Sequence, residues 1–293
     1  FPTILEKENE AIWFLGKKVI KFSDNKKFIS NRVQRASYLK NFVPKIDEVR
    51  DNMYSYTIVK GKTLSEIVTI PLFLKFLDHC KYFWMPKKLN TEKKNEFKNI
   101  CYDFYKKKTF ERLDLFFSIT HKKDKAEKIN DLEMPNTQEL LDKIDWQWMS
   151  NGVPSRFHGD FHFENILWSD EKKTFVFLDW RQDFGGSLNL GDIYYDLAKL
   201  LHGLIVSHSL INESRYNVEW SRSKIEFRLD RTFMLVEIER VFENWLLEEG
   251  YSLKKVRILT ALIFLNIAPL HHHPYNLLLF SLGKSMLKLE LEK

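Results

Sequence analysis

With 293 residues, 44% of them apolar, and only 10 Gly and 8 Pro, the chain is long enough to bury a large core and too poor in breakers for a collagen-like or linker-rich architecture. Its formal charge of +6 arises from 46 basic and 40 acidic residues interleaved along the sequence. Much of the excess sits in runs such as Lys106-Lys107-Lys108 on a solvated helix face, which speaks against nucleic-acid binding and for a mildly basic cleft that draws in an anionic ligand. Cys80 and Cys101 lack metal-type spacing, so no disulfide framework is expected and a reducing compartment is favoured. No apolar run approaches the ~18 residues of a membrane span. No signal-peptide pattern opens the chain either, and a cytoplasmic location is the expectation.

In chain order, AIWFLGKKVIKF (11–22) alternates apolar and basic residues around Gly16, which predicts a hairpin. Residues 25–41 place Phe28, Ile29, Val33, Ala36 and Leu39 at helical spacing, ending before Pro44, and residues 53–59 form a strand that stops at Gly61. From Thr63 onward the pattern becomes that of long amphipathic helices. The clearest starts at an N-cap near Thr91, with a stripe of Phe97, Ile100, Cys101, Phe104, Phe110, Leu113, Phe116 and Phe117. A helix over 137–149 follows, then a loop rich in His, Asp and Asn after Pro154, then the short buried strand in KKTFVFLDW. Two more helices, over 233–247 and 253–267, are closed by Gly250 and Pro269, and YNVEWSRSKIEFRL before them reads as a hairpin or a loop.

The chemistry is concentrated in FHGDFHFENIL and FVFLDW. Asp160 precedes Asn165 by five positions and Asp179 ends an apolar strand, the spacing of a phosphoryl-transfer catalytic loop. Such a loop needs a carboxylate to take the proton of an attacking hydroxyl, and an amide oxygen plus a second carboxylate to clamp Mg²⁺, a hard cation that favours oxygen ligands. His158 is placed to hold the loop through hydrogen bonds, and Asp192 and Asp196 to cap backbone N–H groups and brace it.

HGDFHFEN, LDW and GDIYYDLAKLL together resemble the aminoglycoside phosphotransferase and choline kinase family, which also takes in the fructosamine kinases; VIKF and TIVKGKTL resemble its nucleotide-binding strand and interlobe hinge. The resemblance implies an α+β, two-lobed, protein-kinase-like fold. Residues 1–60 would form a small β-rich nucleotide-binding lobe, open to truncation at its start since residue 1 is Phe rather than Met, and residues 61–293 a large, mainly helical catalytic and substrate-binding lobe. It further implies Asp160 as catalytic base, Asn165 and Asp179 as Mg²⁺ ligands, Lys21 as the triphosphate-binding lysine, and the backbone at Ile58 as the adenine contact. Two features depart from the family pattern. Only Gly16 precedes Lys21, so no glycine-rich loop is visible, and the triphosphate must be covered by a shorter turn or by residues outside this chain. The helix over 25–41 carries Arg32 and Arg35 but no acid to pair with Lys21, leaving Glu8 and Glu10 as substitutes.

The function expected is therefore transfer of the γ-phosphoryl group of ATP, or GTP, to a hydroxyl of a sugar, amino alcohol or related small metabolite, feeding surface-glycan or lipid-headgroup synthesis. Trp180, Arg181, Asp183 and His271 are the candidate substrate contacts, and Trp168, Trp180, Trp220 and Trp245 the candidates for an aromatic cage around a choline-like acceptor. Two readings compete. The missing glycine-rich loop and helix acid suit a degenerate kinase fold used as a scaffold; His158, Asp160 and His162, with the triplet His271, His272 and His273, suit a metal-dependent hydrolase.

Overall fold

The computed structural model describes residues 3–7, 9–222 and 224–293. A β-rich N-terminal region precedes a mainly helical C-terminal part, the α+β arrangement that the motifs imply. By packing, the chain divides into two compact units, residues 1–88 with 153–196 and residues 89–152 with 197–293. The expected division after residue 60 thus falls inside the first unit. Lys62–Thr63 pairs with Leu167 and Trp168, stitching the segment beyond the N-terminal sheet to the strand that follows Asn165.

The first unit opens with a five-stranded antiparallel sheet, β1 (Thr3–Lys7), β2 (Glu10–Leu15), β3 (Lys18–Ser23), β4 (Ile46–Arg50) and β5 (Met53–Thr57), in the order β1-β2-β3-β5-β4. The predicted hairpin is β2–β3, with Leu15 opposite Lys18 across a turn in which Gly16 takes φ 58°. Period-two alternation along β3 buries Val19, Lys21 and Ser23 on one face, so Lys21 is carried inward by register. Strands β1 and β4 were not foreseen. Between β3 and β4 runs helix α1 (Lys26–Tyr38), started by Asn25, whose side-chain oxygen accepts the Phe28 N–H at 3.1 Å. Its buried face is Ile29, Arg32 and Arg35, so two of three inward positions are guanidinium groups.

The rest of the first unit rests on helix Ile70–Trp84 and the small sheet of Ile166–Ser169, Thr174–Phe177 and Lys62–Thr63. An aromatic core joins them: Phe76 lies 5.5 Å from Phe161 and 5.4 Å from Phe175, and Phe177 lies 4.9 Å from Phe83 and 4.8 Å from Phe161, mostly at steep interplanar angles. This packing sets the floor on which the loop between Ser155 and Ile166 lies.

In the second unit, helix Thr91–Tyr102 is capped by Asn90, runs through a π-helical stretch, Asp103–Lys107, and continues as Lys108–Thr120. The helix expected over 137–149 is broken into Thr137–Asp142 and Trp146–Met149, because Asp145 caps a fresh start by accepting the Trp148 N–H at 2.9 Å. Residues 216–229 form a hairpin, Tyr216–Trp220 with Lys224–Leu229, which a parallel pairing to Glu127–Ile129 extends into a four-stranded sheet. Ile129, Met134 and Ile225 close its inner face, and Phe116 stacks on Phe280 at 4.4 Å between ring centres.

At the edge of that core Lys284 and Glu127 form a wholly buried ion pair at 2.9 Å, with 0% and 3% of their side chains exposed. Breaking a pair of this kind strands one charge out of water. Lys284→Met should therefore cost about 3–5 kcal/mol in urea denaturation, whereas adding Glu127→Leu to it should restore most of the loss.

Candidate active site

The loop that carries Asp160 is pinned at both ends. Pro154–Ser155 pairs with Gly191–Asp192, and the buried Asp192 carboxylate accepts the N–H groups of Val153 at 2.9 Å and Tyr194 at 3.1 Å. Within the loop, Asp196 accepts the His158 N–H at 2.8 Å, the Gly159 N–H at 2.7 Å and the Trp84 indole N–H at 3.0 Å. Burial pushes its carboxyl up to about 6, against the pull of these donors and of Arg35. Gly159 has φ 88°, and a Cβ there would stand 2.6 Å from Cβ of Arg181, so only glycine lets the chain turn toward Asp160.

His158 is fully buried. Its Nε2–H donates to the Leu178 carbonyl at 2.8 Å, and Nδ1 accepts the Asp160 N–H at 3.2 Å. Burial lowers its pKa to about 3, so it is a neutral imidazole with both nitrogens in use. That removes His158 from any transition-metal centre of the kind a hydrolase would need.

Asn165 closes a one-turn 3₁₀ helix, Phe163–Asn165, and its carbonyl accepts the Leu178 N–H at 2.8 Å, which brings it beside the strand end that carries Asp179. Its side-chain Nδ2 donates to the Asp160 carbonyl at 2.9 Å and to Nε2 of His162 at 3.2 Å, while Nδ1–H of His162 donates to Glu164 at 2.7 Å. The amide nitrogen of Asn165 thus does the anchoring, and its oxygen is the atom left to offer. Asp179, next in chain after Leu178, has φ 55°, a left-handed conformation rarely held by a non-glycine residue outside turns and functional sites. The side chains of Asp160 and Asp179 are 39% and 33% exposed, so both carboxylates can meet a ligand. The Asp179 carboxylate and the Asn165 amide oxygen are hard oxygen donors of the kind that fit Mg²⁺.

Asp179 also supplies what the sequence lacked. Its Oδ1 accepts from both Lys21 and Arg32, so the acid paired with Lys21 is Asp179 itself and not a residue of α1. Burial works against the Asp179 charge, but the two cations outweigh it and hold the carboxyl well below the usual range. Burial draws Lys21 downward, opposed by the same carboxylate. Of the two substitutes, Glu10 adds a further favourable charge near Lys21, and Glu8 lies outside the described residues.

Arg35, one turn further along α1, reaches the carbonyls of Phe157 and Arg181 and, at 3.0 Å, that of Leu188, while its guanidinium lies 3.6 Å over the Phe157 ring. Neither Arg32 nor Arg35 was given a role from the sequence. The readable signal was their spacing of three from Ile29 along the apolar face, since a charge on that face needs a partner.

The other expected contacts are scattered. Trp180 is 1% exposed, and its indole N–H donates to the Arg32 carbonyl at 2.9 Å, so in this structure it braces α1. Arg181 Nε donates to the Asp183 carbonyl at 3.0 Å, and the Asp183 carboxylate accepts the Gly186 N–H at 3.0 Å. His271 belongs to the second unit, where it packs edge-on to Tyr275 at 4.9 Å. The Ile58 N–H donates to the Lys17 carbonyl at 2.8 Å, so that N–H is engaged within the protein.

A neutral, buried His158 ties stability to pH. The unfolded imidazole titrates near 6.5 and the folded one near 3, so the unfolded chain binds the proton first and stability falls as pH drops through that window. Urea denaturation should show the wild type losing about 2 kcal/mol more than His158→Gln between about pH 7 and about pH 5. Equal losses would show that His158 is protonated in the fold.

Residues 102–247 match the model of the phosphotransferase enzyme family. No curated protein matches the chain. Among solved structures it is similar to a Cryptosporidium parvum choline kinase (TM-score 0.53, 10% identity, covering 100% of this chain and 88% of that one). It is similar also to a Plasmodium vivax ethanolamine kinase (0.51, 13%, 99% and 81%) and to an aminoglycoside phosphotransferase from Streptomyces rimosus (0.50, 15%, 92% and 92%). At these identities the likeness is one of fold. Joined to the family match over residues 102–247, which hold the Asp160, Asn165 and Asp179 loops, it gives the chain a kinase-like fold whose 102–247 stretch matches the phosphotransferase enzyme family.

Proposed function

We propose that the chain is an ATP-dependent small-molecule kinase, with GTP as the alternative donor, that phosphorylates a hydroxyl of a sugar, amino alcohol or related metabolite. The observation that carries this reading is the convergence of Asp160, Asn165 and Asp179 on one braced loop assembly, with both carboxylates partly open. In the reaction, Asp160 orients the acceptor hydroxyl and takes its proton as the oxygen bonds to the γ-phosphorus and the bond to the β-phosphate oxygen breaks. Asn165 and Asp179 would hold Mg²⁺, which when bound neutralises phosphate charge. Lys21 binds the phosphates, and the hinge at Ile58 borders the base. Most of the rate then comes from positioning and charge, not from covalent chemistry.

The aromatic residues and the neighbours both bear on the acceptor class. The fold neighbours named for choline and ethanolamine support an amino alcohol. The four tryptophans considered for a cage are otherwise engaged: Trp180 and Trp245 are buried, Lys75 sits 4.2 Å over Trp168, and Lys122 sits 5.0 Å over Trp220, which packs on Phe280. None of these contacts assembles the four into a cage, and we take a sugar or an amino alcohol as the acceptor class. Its phosphorylated product would feed surface-glycan or lipid-headgroup synthesis. No helix of the described residues is long and apolar enough to cross a membrane.

A phosphorylation screen with ATP and Mg²⁺ against simple sugars, ethanolamine, choline, fructosamines and aminoglycosides tests the assignment. Asp160→Asn should lower turnover on any acceptor found by about 10²–10⁴-fold while nucleotide affinity stays near wild type. Near-normal turnover in that variant would remove Asp160 as base. Asp179→Ala should instead abolish the gain in nucleotide affinity that Mg²⁺ gives.

A further inference from the structure

Resting on the kinase reading, with Asp160 as base and Asn165 as metal ligand, we propose that Glu164 is a positioning residue. Through His162 it holds the Asn165 amide with its nitrogen inward, and it keeps the imidazole off the Asp160 carboxylate. All four residues lie within one short stretch of the first unit. The His162 side chain is mostly enclosed, 12% exposed, whereas Glu164 is 34% exposed. The ring lies between two carboxylates, and the distances decide which one it serves. Its Nδ1 stands 2.7 Å from Glu164, a hydrogen bond, while its Nε2 stands 3.5 Å from Asp160, beyond the usual N–H···O range.

A neutral imidazole carries a single N–H, and the nitrogen that holds it is set by the partner it meets. An ionised carboxylate can only accept, so Glu164 draws the proton to Nδ1 and leaves Nε2 bare, able only to accept in its turn. That is the partner the Asn165 amide requires. Its nitrogen has the Asp160 carbonyl at 2.9 Å, Nε2 of His162 at 3.2 Å and the Asp160 carboxylate at 3.4 Å, three acceptors around one NH₂ group. Without Glu164 the proton is free to sit on Nε2 instead. There it would confront the amide N–H, donor against donor, and turn the Asn165 side chain out of place. It would also reach for the Asp160 oxygen close by and tie up the carboxylate that takes the acceptor's proton. One partly exposed acid thus guards a metal ligand and a base through a single ring.

The test joins histidine ¹⁵N NMR at about pH 8, above the ordinary imidazole range, to titration calorimetry with ADP in EDTA and in Mg²⁺. The proteins are the wild type, Glu164→Gln, Glu164→Ala, His162→Gln and the double variant His162→Gln with Glu164→Gln. The His162 ring, identified by its loss in His162→Gln, should carry its proton on Nδ1 in the wild type and on Nε2, or on both in exchange, in Glu164→Gln. Mg²⁺ should strengthen ADP binding by the wild type, and both Glu164 variants should cut that gain by about 10-fold or more while affinity in EDTA stays the same. In the His162→Gln background, where the side-chain oxygen accepts whatever stands at position 164, adding Glu164→Gln should cost nothing further. A carboxylate acting by its own charge, or as a metal ligand itself, would keep its full effect there. A wild-type ring protonated on Nε2 or on both nitrogens would overturn the proposal. So would a wild type without a Mg²⁺ gain, a gain unchanged in both Glu164 variants, or a full further loss in the double variant. A chain that meets these expectations yet phosphorylates no acceptor upholds the role of Glu164 and removes the kinase assignment alone.

Discussion

Asp196 sits in the first turn of the helix Ile193–Ile205, wholly out of water, and its two oxygens receive the N–H groups of His158 and Gly159 together with the indole of Trp84. Hydrogen bonds to a charged group contribute roughly 1.5–3 kcal/mol each, and only their sum, with Arg35 nearby, offsets the several kcal/mol it costs to bury a carboxylate. Everything downstream depends on that balance. The two N–H groups belong to the residues just before Asp160, so the carboxylate sets the direction in which the loop leaves the core. His158 then passes the constraint on, one nitrogen to the Asp160 backbone and the other to Leu178, the residue before Asp179. One buried acid thereby ties together the loops that carry Asp160 and Asp179.

Helix α1 meets the same assembly from the other side with cations. Arg35 satisfies backbone carbonyls of both loops, and Arg32 meets the Asp179 carboxylate. A carboxylate gathering N–H groups from within and guanidinium groups gathering C=O groups from without are complementary uses of charge. Together they satisfy loop backbone that no strand or helix could pair.

The loop chemistry was legible because its residues are close in sequence: Asp160, Asn165 and Asp179 fall within one stretch, and the strand before Asp179 announces itself by an apolar run. The helix start near Thr91, which Asn90 caps, and the β2–β3 hairpin at Gly16 were legible for the same local reason. What was not legible depends on distant partners. Strand β4 is short and mostly exposed and gains its identity only from pairing with β5, and the role of Arg32 needed a residue well over a hundred positions away. The stripe over 91–120 shows a subtler limit. Phe97, Cys101, Tyr105, Thr109 and Leu113 are buried at spacings of four, which on an α-helix drift by about 40° each. The wider π turn at Asp103–Lys107 takes up part of that drift, so a strict 3.6-residue reading selected Phe110 where the structure buries Thr109.

The indole of Trp180 ties the Arg32 carbonyl of α1 to the residue that follows Asp179. With the ion pair of Arg32 and the carbonyl bonds of Arg35, this gives the helix three moorings on the same loops, two at Arg32 and one about a turn later at Arg35. Freeing any one leaves the others in place, so α1 cannot swing away alone; helix and loops must loosen together, as one cooperative unit. Regulation by tilting this helix is thereby closed to the molecule. What it retains is a site assembled before its ligands arrive, in which little ordering entropy is left to lose on binding.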